Sequence, residues 1–303
     1  MTIPYTKPAI PFQDQLNKLV ARGLVISDLE QALKKLESTG YYRLSGYCYP
    51  FRVRDASGQV SDQFIPNTSW DQVVSIYEFD RHLRLLVLDA IERVEVAIRT
   101  QLTYHFSCAH GAFGHTAAAN FHPKFDHAAW LADAEKETDR SGDKFIDHYK
   151  FKYDGFPTIP LWMLTEVLSL GSLSRLYRGL NHDDKLPVSA YFNTHHKRLA
   201  DWLHTLTYIR NVCAHHSRLW NRELSIRPDK VKDLLWQPPI TPRNDRIFYV
   251  LLILRYLQFS SGNGHEWVNE VNTLLSPISD SAQWRAAMGI PDNWQTHPTW
   301  NMK

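Results

Sequence analysis

The stretch from Ser69 to Ser107 contains neither glycine nor proline. Through it Leu83, Val87, Ile91, Val94, Ile98 and Leu102 recur by steps of four or three, the spacing that lines up side chains on one face of an α-helix. Ser69 is suited to cap its N-terminus. An apolar stripe of that length has to be covered by at least two other helices, so this one segment already selects a helical bundle. Partners are present. Apolar helical patterns occupy residues near 160–178, 196–216 and 244–260. The first has Pro160 at its opening turn, and its Gly171 allows a bend or a close helix contact. The second buries Leu199, Leu203, Leu206, Ile209, Val212 and Cys213. No strand-rich region, repeat or low-complexity segment competes, and the expected fold class is all-α.

Additions flank and interrupt this bundle. After Pro4, Pro8 and Pro11, Phe12–Ala21 reads as a helix with Leu16, Leu19 and Val20 on one side, stopped by Gly23. Ser27–Glu30 reads as a capping box opening a second helix, which Gly40 closes. The run Tyr41–Phe51 is rich in tyrosine. Its plainer reading is an aromatic clasp that fixes the small lobe to the body; the alternative is a base-stacking platform with Arg43 and Arg52 on phosphates. Residues 53–68 read as a loop that can hold a short hairpin. Trp130 to about Lys150 is a polar helix interrupted near Ser141 and Gly142, which looks like an insertion. Asp229–Leu235 is short and amphipathic, Pro238, Pro239 and Pro242 mark a linker, and weaker helices near 265–275 and 279–288 precede a tail with Trp294 and Trp300. The resulting division is an N-terminal lobe over 1–60, a helical core over 61–260 with an insertion at about 110–155, and a helical tail over 261–303.

Composition narrows the class. A hydrophobic share of 44% and a charged share of 22% exclude a disordered chain. The net charge of +2 provides no global field for nucleic acid, so any such contact is local. Residues 195–230 supply a local patch, with Lys197, Arg198, Arg210, Arg218, Arg222, Arg227 and Lys230 against Asp201, Glu223 and Asp229. Three scattered cysteines, Cys48, Cys108 and Cys213, form neither a zinc pattern nor a disulfide framework. His105, His110, His115, His122 and His127 lie in a Gly/Ala/Pro-rich stretch without carboxylates at ligand spacing, so loop histidines are expected rather than a metal site. No metal and no cofactor is expected. The N-terminus lacks a secretory pattern, and the longest apolar runs, such as Phe248–Leu254, are too short to span a bilayer; a cytoplasmic protein is expected.

The chemistry concentrates in residues 209–222, Ile-Arg-Asn-Val-Cys-Ala-His-His-Ser-Arg-Leu-Trp-Asn-Arg. Its cations are all arginine, which favours bidentate contact with phosphate or carboxylate, and its imidazoles can exchange a proton near neutral pH. Asn211 and His215, at i and i+4, share a helix face. Arg210 and His215 stand roughly 140° apart around a straight helix, so a long arginine has to curl toward the histidine, or the two meet across a dimer axis. A helix end bonding buried carbonyls is the plainer alternative. Elsewhere Asp80/Arg84 and Glu95/Arg99 are i,i+4 pairs, expected on the surface; the alternative for Glu92 and Glu95 is to hold an Arg or His of the motif, and Glu166, the odd polar member of an apolar helix, is open to a partner arginine or a backbone group.

The run I-R-N-x-C-A-H-H-x-R-L-W-N-R resembles the signature of the Abi_2 family, the AbiD/AbiF-type abortive-infection proteins of the HEPN superfamily. Supporting phrases are G-Y-Y-R-L-S-x-Y-x-Y-P-F at 40–51, E-F-D-R-x-L-R and I-E-R-x-E-x-A-I-R in the long helix, and P-x-W-x-x-x-E-x-x-S-x-G-x-L-S-x-L-Y from Pro160. The resemblance covers most of residues 8–260. It implies a HEPN-like bundle and a metal-independent endoribonuclease acting in phage defence. In the R-[N/H/D]-x-x-x-H motif of that superfamily, Arg210, Asn211 and His215 match position by position, with His216, Arg218 and Arg222 as candidates for binding RNA. It further implies a homodimer with a composite site, products ending in 2′,3′-cyclic phosphate, and an RNA partner, as substrate or as a bound small non-coding RNA. A non-catalytic RNA-binding module is the other reading of the same residues.

Overall fold

The computed structural model describes residues 4–233, 236, 242–262, 264–278 and 281–302. Among these residues the only sheet has two strands, and α-helices with a few short 3-10 turns make up the rest of the architecture, in agreement with the expected all-α class. The chain divides into two compact units, Met1–His82 and Leu83–Lys303, and the division falls within one continuous helix.

In the first unit, α1 (Phe12–Ala21) and α2 (Leu29–Thr39) pack together and α3 (Tyr41–Cys48) packs on α2. Leu16 and Leu19 of α1 are buried, whereas Val20 is 45% exposed and leaves the expected stripe. The cap of α2 is one residue later than the sequence suggested: Asp28, not Ser27, accepts from the Gln31 N–H at 2.9 Å. Gly23 and Gly40 take positive φ, the turn geometry that ends each helix without a Cβ clash. Strands β1 (Arg52–Arg54) and β2 (Val60–Phe64) form the short antiparallel hairpin.

Helix α4 (Trp70–His110) is the long member. Ser69 and Gln72 cap it reciprocally, the Gln72 N–H donating to Ser69 Oγ at 3.2 Å and the Ser69 N–H to Gln72 Oε1 at 2.9 Å. It ends where Gly111 takes φ 78°. All six residues of its predicted stripe are buried. Asp80 departs from expectation. It is fully buried and accepts from the Tyr47 hydroxyl at 2.6 Å, while Arg84 is only 5% exposed, so neither belongs to a surface pair. That bond, and the edge of Tyr47 on Tyr77 at 5.3 Å, make part of the tyrosine run structural.

In the second unit, α5 (His127–Arg140) and α6 (Lys144–Lys152) form the interrupted polar segment, and the Trp130 indole donates to the Ser172 carbonyl at 3.1 Å. The apolar segment from Pro160 is two helices, α7 (Leu161–Val167) and α8 (Leu170–Gly179). Ser169 restarts the helix by accepting from the Ser172 N–H, and Glu137 of α5 takes hydrogen bonds from Ser169 and Ser172. A Cβ at Gly171 would make only ordinary contact with Thr207, so the close approach falls at Gly179, where one would sit 2.5 Å from the Phe125 ring. α9 (His182–Tyr191) leads to α10 (His196–Ala214), which packs against α8 and α9. α11 (Ile247–Ser260) is buried throughout Ile247–Gln258. α12 (His265–Leu275) and α13 (Ala282–Met288) follow, and Trp294 and Trp300 are buried, 5.3 Å from each other. Leu234 and Leu235 of the short amphipathic segment and Pro238 and Pro239 of the linker lie outside the described residues. No helix among the described residues is long and apolar enough to cross a membrane.

Candidate functional site

Helix α10 presents two unlike faces. Leu199, Trp202, Leu203, Thr205, Leu206, Ile209, Val212 and Cys213 are buried, which turns Arg210 and Asn211 outward as exposed residues. Arg210 donates from Nη1 to Asn211 Oδ1 at 3.4 Å, so its guanidinium does curl toward the Asn211 side of the helix. His215 is the C-cap. Its N–H still bonds the Asn211 carbonyl at 3.0 Å, which keeps the two residues one turn apart on one face. His216 follows with φ 54°, its N–H on the Cys213 carbonyl, and the Ser217 N–H on the Val212 carbonyl. This is the six-to-one closure of a helix end, with a histidine where glycine is usual. His215 and His216 are exposed and Arg218 and Arg222 half-buried, so the motif is open to solvent.

Other elements hold this turn in place. Arg84 of α4 donates to the Ser217 carbonyl at 3.5 Å, and Arg246, the N-cap of α11, donates to the Asn221 carbonyl at 2.9 Å. Leu219 and Trp220 are buried, Trp220 lying 4.8 Å from Trp284 of α13. Arg222 donates from Nε to the Arg218 carbonyl at 2.8 Å.

The three candidate carboxylates part ways. Glu95 is half-buried and accepts from Arg99 at 2.7 Å. Burial pushes its pKa up, against the lowering charges of Arg99 and Arg210, which puts the Arg210 charge within reach of this carboxyl. Glu92 is exposed, and its charge also raises Glu95. Glu166 is exposed as well. Its carbonyl accepts from Arg99 at 3.3 Å, and its carboxylate lies 3.6 Å from the same guanidinium. Arg99 thus ties α4 to the α7–α8 junction, reaching the Leu168 carbonyl at 3.1 Å. Arg43 is exposed on α3, and Arg52 pairs with Asp62 across the hairpin at 3.0 Å.

Sequence reading missed Tyr208. It stands three residues before Asn211 and shares its face, with the Ser225 N–H 3.5 Å from its hydroxyl. Burial pushes the phenol up, but hydrogen bonds from Ser225 and Arg222 and the Arg222 charge outweigh it, and the net direction is down. The i,i+3 spacing to Asn211 was the available signal.

Of the five histidines of the 105–127 stretch only His122 is a loop residue as expected; His115 sits in a short 3-10 turn and His127 opens α5. His105 and His110 lie on α4, and His110 is 2.9 Å from Asp184. His115 is buried and pushed down to about 4 by desolvation and by His127, whose Nε2 meets the His115 carbonyl at 2.8 Å. No cluster of His, Cys, Asp and Glu able to hold a metal ion occurs among the described residues.

Compared with known proteins, the chain matches the family model described as Abi-like protein over residues 34–221, a narrower span than 8–260 but one containing α10 and every motif residue except Arg222. No curated protein and no solved structure matches it.

Proposed function

The chain belongs to the Abi-like protein family, whose membership implies a role in abortive infection, and on that premise we propose that it is a metal-independent endoribonuclease of HEPN type. The carrying observation is the exposed end of α10, where the Arg210 guanidinium, bonded to Asn211 in the last turns, and the imidazole of the C-cap His215 are open to solvent. Cleavage of RNA without metal needs a base for the 2′-hydroxyl proton, an acid for the departing 5′ oxygen and positive charge on the phosphate. The freed O2′ attacks phosphorus, the P–O5′ bond breaks with a proton delivered to O5′, and the products are a 2′,3′-cyclic phosphate and a 5′-hydroxyl. His215 transfers the proton. Arg210 stabilises the charge gained by the non-bridging oxygens. Asn211 orients the guanidinium, and His216, Arg218 and Arg222 bind the flanking strand.

Each chain brings one such imidazole, so base and acid come from two copies sharing a pocket, a homodimer. A small non-coding RNA is a further partner of this reading. The test uses purified protein in EDTA with structured and single-stranded RNA. Wild type is expected to cut and to leave cyclic phosphate ends, Arg210→Ala and His215→Ala to stay folded and lose cutting, and 2′-deoxy substitution at the cut nucleotide to block it. RNA binding by wild type and both variants without cutting under any condition would refute catalysis and make this face the RNA-binding surface of a defence ribonucleoprotein.

A further inference from the structure

A pocket of about 500 Å³ lies at the opposite end of α10 from the motif. α8 contributes Arg178, α9 contributes His182 and Lys185, and the first turns of α10 contribute His196, Lys197 and Asp201; His122 closes one side. Its positive charge is poorly compensated. Among the described residues no carboxylate comes within ion-pair distance of Arg178, Lys185 or Lys197; burial raises the pKa of Asp201, the one carboxylate of the lining, which feels the Arg178 charge at longer range. The cations instead crowd one another. Lys185 is pushed down by burial and by Arg178, and His196 by burial and then by His195, His182, Lys185 and Lys197. Two of the rings, His182 and His196, meet edge to face at 4.7 Å. A fold that gathers cations from three helices into one concavity holds them at a cost that an anion would relieve.

One face of α10 runs from the pocket to the motif. Lys197, Asp201, His204, Tyr208, Asn211 and His215 follow one another by four and three, all exposed or half-buried, opposite the buried stripe. Lys197 and His215 are about five turns apart, so they point the same way and stand about 27 Å apart along the axis. An extended polyanion lying along α10 meets both ends without leaving this face.

We propose that this pocket binds a backbone phosphate of the RNA strand whose cleavage site lies at Arg210 and His215, so that α10 measures a minimum strand length. The inference rests on the nuclease reading for the identity of the strand. Its residues do no chemistry: Arg178, Lys185 and Lys197 hold phosphate, and the histidines border the adjoining nucleotide.

The test measures anisotropy of labelled, mixed-sequence 2′-O-methyl RNA, which cannot be cut, on the full chain in EDTA at several salt concentrations. Strands of three nucleotides, too short to reach both ends, are compared with strands of sixteen. Lys185→Ala/Lys197→Ala is expected to weaken the long strand about 10-fold, to reduce its salt slope by about 1.4 for two lost contacts, and to leave the short strand unchanged. The exposed pair Arg178→Ala/Lys197→Ala repeats the measurement should the half-buried Lys185 prove needed for folding. Unchanged long-strand affinity and slope in both double variants overturns the proposal. So does ATP binding that depends on these residues while strand binding does not, which would make the pocket a free-nucleotide site. Length-dependent binding that persists while His215→Ala still cuts RNA sinks the nuclease assignment and spares this one.

Discussion

The chain carries two groups of histidines that look alike in the sequence and behave oppositely in the fold. His127 lies among the rings of Phe121, Phe125 and Trp130, and its Nε2 meets the carbonyl of the buried His115. His115 is 1% exposed and its imidazole is neutral at physiological pH because the interior refuses the charge. His204, His215 and His216 stand on the outer side or at the end of α10, in water. Residue type gives the capacity to move a proton; desolvation decides whether the capacity is usable. The first group is enclosed by packing and the second is open to solvent.

The sharpest way to break this contrast is substitution in each group. His215→Ala is expected to lower RNA cleavage by about 10²–10⁴-fold with an unchanged melting temperature. A variant that cuts normally removes the chemical half of the contrast. The buried group is read by pH. The folded pKa of His115, about 4, lies below its unfolded value, so the unfolded chain takes up a proton that the native chain rejects. Its contribution is therefore complete above the unfolded pKa and is lost as pH falls from there toward 4, on the order of 3 kcal/mol. His297, also buried and pushed down to about 4 by desolvation, acts in the same direction. Urea melts between pH 7 and pH 4 should show this decline, and His115→Gln should flatten it; an equally steep decline in the variant would place the acid sensitivity elsewhere.

Arg210→Lys sharpens the chemical half further by keeping the charge and losing the fork. Cleavage is expected to fall about 10²-fold, measured as kcat at saturating RNA, and full activity would mean that charge alone suffices there. The smallest effect is expected from Tyr208→Phe. Removing a phenol beside Arg222 should change cleavage by less than about 10-fold, about 1.4 kcal/mol or less, and a larger loss would give the Tyr208 hydroxyl a part in proton transfer.

Much of this was legible because local rules sufficed. The stripe of α4 obeyed its period along its whole length, and Phe12–Ala21 began after Pro11 and closed at Gly23 as those residues require. The exposed motif followed from the buried positions of α10, since whatever is not in the stripe has to face out. Features that depend on distant partners were hidden. Asp80 looks like half of a surface pair until Tyr47 arrives from another helix. The break at Leu168–Ser169 has no proline, and only Glu137, far along the chain, shows why a new helix starts there. The cationic pocket draws on α8, α9, α10 and the loop at His122, so no window of sequence contains it.

His216 carries one more consequence. Its left-handed backbone costs a side-chain-bearing residue about 1–2 kcal/mol, and glycine would close the helix there for less. An imidazole has been kept in a place where the main chain would rather have a hydrogen atom, next to the ring that faces the proposed substrate. Substituting glycine would produce a sturdier protein with one fewer titratable group at the mouth of its site, so the tightness of this turn and the reach of its chemistry pull against each other in a single residue.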